Sequence, residues 1–212
     1  MIISGLDIAR FTGISLINPA ADPSTWRTFC LVLEKEATWV KTAKFSPALR
    51  EFYQDEDHHA DFVVIETPLG IVMDYGAGGA GKPDDKRSIN AATVASLNSL
   101  AGAAIGVLDG LRIPYGMLQP RSWHTVYFGS GFKPPMVLDK SKKAWVPDWK
   151  AASVAHARLQ NIPLPVGNRQ AQEDCADAVG AAASWRSKAI FVPEHHQQAY
   201  MRLVMDCGRV AA

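Results

Sequence analysis

The run Asp61-Phe-Val-Val-Ile-Glu66 constrains this chain more than any other segment. A strand with one wet face alternates apolar and polar residues, whereas this run leaves no side for water and reads as a strand buried on both faces. Such a strand needs strands beside it and helices above and below. Residues 2–8 and 12–18 supply two short Ile- and Leu-rich runs separated by Ala9, Arg10 and Phe11, and residues 27–33 supply a third after the turn signal Asp22-Pro23-Ser24. Residues 46–57 read as a helix, with Ser46 as cap, Pro47 at its first position and Leu49, Phe52 and Tyr53 as its stripe. Ser88 opens a second helix over about 88–108, with Val94, Leu97, Ala101, Ala104 and Leu108 at spacings of three and four and Gly110 closing it. Residues 113–118 read as a short strand, 122–128 as a helical turn, and about 148–160, 173–187 and 194–205 as helices. Residues 67–87 and 129–147, rich in Gly, Pro or Lys, read as long loops, which in a compact domain are usually functional or disordered.

Strands joined by short turns can only meander antiparallel, while strands joined through helices must pair by crossovers. The expected fold is therefore α/β: a mixed five-stranded sheet, three antiparallel strands followed by parallel crossovers, with helices on both faces. At 212 residues a single domain over 1–212 is expected, because two domains would each have a small core. The net charge of +1 provides no global field for nucleic acid, so such a partner must be met by a local patch. The longest uncharged stretch, 88–108, is interrupted by Asn90, Asn98, serines and glycines and reads as too polar for a membrane span. The first residues lack a basic segment and meet an acid at Asp7, which does not read as a signal peptide. Cys30, Cys175 and Cys207 are odd in number and show no CxxC spacing, which argues against a disulfide framework or structural zinc and fits a cytoplasmic location.

Four carboxylates stand out by position. Asp7 ends the first strand, Glu66 ends the buried strand, and Asp174 and Asp177 lie three apart on one face of an Ala-rich helix. Strand ends of an open α/β sheet are where ligands bind. A helix dipole contributes only about 0.3–1 kcal/mol per acid, too little to hold four carboxylates together. A pair of divalent cations would do so, and two such ions about 3.5–4 Å apart serve phosphodiester hydrolysis. Each residue also has a structural reading: Asp7 in a turn, Glu66 in a salt bridge, Asp174 as an N-cap, Asp177 solvated.

These residues resemble a known family. Gly5-Leu-Asp7 followed by Thr12-Gly13-Ile-Ser looks like the first-strand motif of the RuvC-type Holliday junction resolvases. Val-Ile-Glu66 is similar to that family's second acid, and Gln172-Glu-Asp174-Cys-Ala-Asp177-Ala178 to its C-terminal Asp-x-x-Asp-Ala motif. Ile113-Pro-Tyr and Gln119-Pro-Arg-Ser-Trp123 resemble the fifth strand and the Pro-x-x-Trp segment of phage members, and Lys150 falls where the family carries a phosphate-stabilising lysine. The likeness covers roughly residues 2–188. It implies a ribonuclease H-like fold, a Mg²⁺- or Mn²⁺-dependent endonuclease site holding two ions on Asp7, Glu66, Asp174 and Asp177, and a homodimer that nicks branched DNA, with no nucleotide cofactor and no membrane. The chain departs from the family pattern at Ala9, where a glycine is usual, and at His124, where many relatives carry a lysine. Segment 129–147 and the tail beyond 188 are longer than in the compact bacterial enzymes, which points to a divergent, phage-borne member.

Between Arg121 and Lys150 six basic residues (Arg121, Lys133, Lys140, Lys142, Lys143 and Lys150) face two acids, with Trp145 and Trp149 interleaved. The excess suits phosphate contacts and equally suits a solvated lysine loop. In the first long loop, Tyr75 fits the family's base-stacking aromatic, and Lys82, Lys86 and Arg87 fit backbone contacts; an ordinary loop tyrosine reads as well. His124 joins the DNA-contact set beside Arg121. His58-His59 reads as a polar helix end, and His195-His196, without a carboxylate or cysteine at ligand spacing, as surface. Two other functions share the pattern: an actin- or sugar-kinase-like phosphotransferase, which needs a glycine-rich turn where Ala9-Arg10-Phe11 stands, and a catalytically inactive DNA-binding module of the same fold.

Overall fold

A computed structural model describes residues 1–68, 91–139 and 143–210. Five strands, β1 (Ile3–Asp7), β2 (Phe11–Ile17), β3 (Arg27–Val32), β4 (Phe62–Glu66) and β5 (Tyr115–Leu118), form one sheet in the order β3-β2-β1-β4-β5. The first three are antiparallel, and β4 and β5 join parallel to β1. The expected mixed sheet is therefore present. The turn after Asp7 closes without glycine: Thr12 donates its hydroxyl to the Ala9 carbonyl, and Ala9 is not among the positive-φ residues.

Helix α1 (Thr38–Gln54) and helix α2 (Ala91–Leu111) cover one face. Leu6, Ile14, Leu16, Val63 and Ile65 point into that layer against Phe45, Leu49, Phe52, Leu100, Ala104 and Leu108. The opposite face carries α3 (Pro120–Phe128), α4 (Trp149–Leu159) and α5 (Arg169–Ala183), where Ile3, Ile17, Phe62, Val64 and Leu118 meet Trp123, Ala157, Ala176 and Val179. The period-2 rule does the sorting: Val63 and Ile65 go one way, Phe62 and Val64 the other. Beyond α5, the chain lays Phe191 against the free edge of β5, exchanging both backbone hydrogen bonds with Met117 at 2.7 and 2.9 Å, and then forms α6 (Glu194–Val210).

Several elements differ from the sequence reading. Helix α1 begins eight residues before Ser46, and Pro47 lies inside it. An interior proline costs about 3 kcal/mol, but Phe45, fully buried, extends the Leu49–Phe52 stripe backwards and favours the longer helix. Ser46 is not a cap; its hydroxyl donates to the Thr42 carbonyl at 3.1 Å. Helix α2 ends with Arg112, not Gly110, in the left-handed region (φ 58°), and Ile113 N–H returns to the Leu108 carbonyl at 3.0 Å. The stretch Ala92–Leu111 is, by length and composition, apolar enough to cross a membrane, against the expectation from its Asn and Ser residues. In the fold its Leu100, Ala101, Ala104, Val107 and Leu108 are core residues. Segment 129–147 is not all loop: β6 (Met136–Asp139) and β7 (Ala144–Pro147) pair as an antiparallel hairpin. Its Val and Trp content favours strand, while the surrounding prolines and lysines hid it.

Candidate metal centre

Strand periodicity aims the first two acids. On β1, Ile3, Gly5 and Asp7 alternate toward α5; on β4, Phe62, Val64 and Glu66 do the same. The parallel register pairs Leu6 with Ile65, so Asp7 and Glu66 emerge side by side at the carboxyl ends of adjacent strands. Helix α5 lies across them. Asn168, not Asp174, caps it, accepting from Ala171 N–H at 3.1 Å. Asp174 and Asp177 thus occupy its interior, 3% and 5% exposed, on the face toward the sheet.

Two glycines allow that close seating. A Cβ on Gly5 would collide with the Ala178 carbonyl oxygen, and one on Gly13 with the Asp174 carbonyl oxygen. Ser15 donates to the Ala178 carbonyl at 2.9 Å. The Gly-Leu-Asp and Thr-Gly motifs therefore bring the helix backbone flush against β1 and β2, and with it the two aspartates.

Lys150, in the first turn of α4, closes the cluster. Its Nζ lies 2.9 Å from Asp7 Oδ2, 2.7 Å from Asp174 Oδ1 and 2.6 Å from Asp177 Oδ2. Asp148 fixes this turn by capping α4, accepting from Ala151 N–H at 2.9 Å. Glu66 stands next to the ammonium group's partners: one carboxylate oxygen each of Asp7, Glu66 and Asp177 lie within 4.8 Å of one another. All four sequence-predicted acids and Lys150 are thus brought together. Glu66 Oε2 accepts from the indole Nε1 of the fully buried Trp123 at 2.9 Å. Trp123 belongs to the Pro-x-x-Trp motif, but its bond to Glu66 leaves no local sequence signal, because the partners are 57 residues apart.

The electrostatics follow from crowding. Burial, and then the neighbouring carboxylates, push the Glu66 carboxyl well above its ordinary value. Burial raises Asp174 to about 6 and Asp177 to about 7, with Lys150 pulling both down and Asp7 pushing both up. Burial works against the Lys150 charge, but Asp7, Asp177 and Asp174 outweigh it and hold the ammonium group above its usual range. Among the described residues, Asp174 Oδ2 and Asp177 Oδ1 are buried without a hydrogen-bond partner. Orphaned carboxylate oxygens beside a tight set of hard oxygen donors fit Mg²⁺ or Mn²⁺.

Next to the acids lies an aromatic and basic shelf. His124 stacks on Trp149 (centroids 4.0 Å, interplanar 11°), and burial first, then Lys150, lower its imidazole to about 4, so it is neutral near pH 7. Arg121, His124, Phe132 and Trp149 line a cleft of about 180 Å³. Lys143 is exposed on the β6–β7 turn with φ 49°. Tyr75, Lys82, Lys86, Arg87, Lys140 and Lys142 lie outside the described residues. His58 stacks on Phe52 at 4.2 Å, and the three cysteines are free thiols. His195 and His196, read as partnerless surface, both reach Asp109 at 3.1 Å, a correction supplied by a residue 86 positions away.

No protein-family profile and no curated protein matches the chain. Solved structures do. Thermus thermophilus RuvC in complex with a Holliday junction substrate superposes with a TM-score of 0.52 at 10% identity, covering 91% of this chain and 99% of that one. A second Thermus thermophilus RuvC structure gives 0.51 at 12% identity, covering 91% and 100%. The chain therefore has the ribonuclease H-like, RuvC-like fold that its motifs led us to expect.

Proposed function

We propose that this chain is a divalent-metal-dependent, structure-selective DNA endonuclease that resolves four-way junctions or other branched DNA by paired nicks from a homodimer. The observation that carries this reading is the convergence of Asp7, Glu66, Asp174 and Asp177 around Lys150 on a RuvC-like fold. Asp7, Glu66, Asp174 and Asp177 would hold two Mg²⁺ or Mn²⁺ ions, which supply an activated water and charge stabilisation for phosphodiester hydrolysis. Trp123 orients Glu66 through its indole N–H. Lys150, displaced from the carboxylates, meets charge developing on the phosphate. Arg121, Lys143 and the His124–Trp149 stack contact the strand beside the cut, with His124 acting as a neutral stacking surface instead of a second cation. Tyr75 stacks on an unpaired base, and Lys82, Lys86, Arg87, Lys140 and Lys142 contact phosphates.

The test is direct. Labelled four-way junction, linear duplex and single strand are incubated with protein and either Mg²⁺ or EDTA. Symmetric nicks in the junction, with Mg²⁺ only and with linear duplex intact, are the expected result. Equal cutting of linear duplex, or a strictly monomeric protein at micromolar concentration, overturns it.

A further inference from the structure

A second ligand-bearing cluster lies at the other end of the parallel strands. Asp109, near the carboxyl end of α2, faces His195 and His196 at the start of α6. Both imidazole Nε2 atoms approach the same oxygen, Asp109 Oδ1, each at 3.1 Å, with the rings 4.0 Å apart. One ligand atom from each of the three residues lies within 4.8 Å of the others. Tyr115, which begins β5, stands edge-on to His196 with ring centroids 4.8 Å apart. Tyr115 pairs with Val63 near the start of β4, whereas Glu66 ends that strand. The two clusters therefore occupy opposite ends of the sheet.

We propose that Asp109, His195 and His196 form a transition-metal site, with Zn²⁺ as the fitting ion, that clips the start of α6 to the end of α2. Three observations support it. First, the spacing is that of ligands sharing one small ion: a tetrahedral site with bonds near 2.0 Å has ligand atoms about 3.3 Å apart. Each histidine nitrogen already lies 3.1 Å from the aspartate oxygen. Secondly, the donor set of two imidazoles and one carboxylate suits zinc and its neighbours and not Mg²⁺, which prefers oxygen throughout. Thirdly, one ligand ring is held in place: Tyr115 packs edge-on against His196, with ring centroids 4.8 Å apart. His196 is buried while the His195 and Asp109 side chains are 60% and 41% exposed, so water can complete the coordination from the solvent side. Adjacent histidines on a helix normally diverge. Placement in the first turn of α6, over the end of α2, lets this pair converge on one oxygen.

The site is chemically distinct from the acidic centre, so its test separates from that of the nuclease reading. Untagged, EDTA-stripped protein is titrated with Zn²⁺ by calorimetry and by thermal unfolding, in wild type, His195→Ala, Asp109→Asn and the double variant Asp7→Asn/Glu66→Gln. One Zn²⁺ equivalent that depends on His195 is expected in wild type, beside any ions the acidic centre takes, raising the melting temperature by about 5–10 °C at roughly 100-fold above Kd. It should persist in the acidic-site double variant and vanish in His195→Ala, whose exposed side chain makes misfolding an inadequate explanation, and in Asp109→Asn. No shift in wild type overturns the proposal. So does an unchanged shift in His195→Ala, or loss of the equivalent in the acidic-site double variant.

Discussion

At the level of single residues, the site is an arrangement of like charges kept together by one cation. Replacing Asp7, Asp174 or Asp177 with Asn, or Glu66 with Gln, removes a metal ligand and also relieves carboxylate repulsion. Each such variant is expected to lose junction cleavage, keep junction binding, and melt at or above the wild-type temperature at pH 8. Wild-type cleavage in any of them refutes the assignment for that position. Lys150→Ala should slow single-turnover cleavage by about 100-fold while changing junction affinity far less, the signature of a group that acts on the transition state. The four acids were legible because each breaks a pattern: an acid ending an apolar strand, or a pair at helical spacing in an alanine-rich run. The Trp123–Glu66 bond and the Asp109–histidine cluster were not, since each joins residues far apart in sequence that only the folded chain brings together.

The elements matter through how closely they approach. Helix α5 rests on β1 and β2 with no room for a methyl group at Gly5 or Gly13. Gly13→Ala should therefore lift the helix locally, at about 1–3 kcal/mol for overpacking, and carry Asp174 away from Asp7. Thermal unfolding should show the loss of stability, and the Mg²⁺ concentration for half-maximal cleavage should rise; an unchanged Mg²⁺ requirement contradicts this coupling. Sequence periodicity identified β1 to β5 well because buried strands and amphipathic helices leave regular patterns. It misplaced the start of α1, where Ser46-Pro47 imitates a helix start, and it missed the β6–β7 hairpin, whose apolar residues are exposed: Met136, Leu138 and Trp145 are 52%, 48% and 66% accessible. With no core to face, a strand loses the alternation that reveals it.

For the whole molecule, the buried acids make stability depend on pH in an unusual direction. Asp174 and Asp177 ionise at about 6 and 7 in the folded chain but near 3.8 when unfolded. Between these values the folded state holds more protons, so stability falls as pH rises, by at most about 1.4 kcal/mol per pH unit for each group. Without divalent ions, the melting temperature of wild type should drop more steeply from pH 5 to 7 than that of Asp174→Asn/Asp177→Asn; parallel profiles contradict the raised values. The lysine seated among the carboxylates has a consequence for affinity as well. Occupation of the centre by two divalent ions would carry the formal charge of the chain from +1 to about +5 and free an ammonium group for the outer surface. Metal and polyanion would then bind as mutually reinforcing ligands, each tightening the other by the same factor. A nearly neutral protein would bind DNA more tightly once it is loaded to cut it.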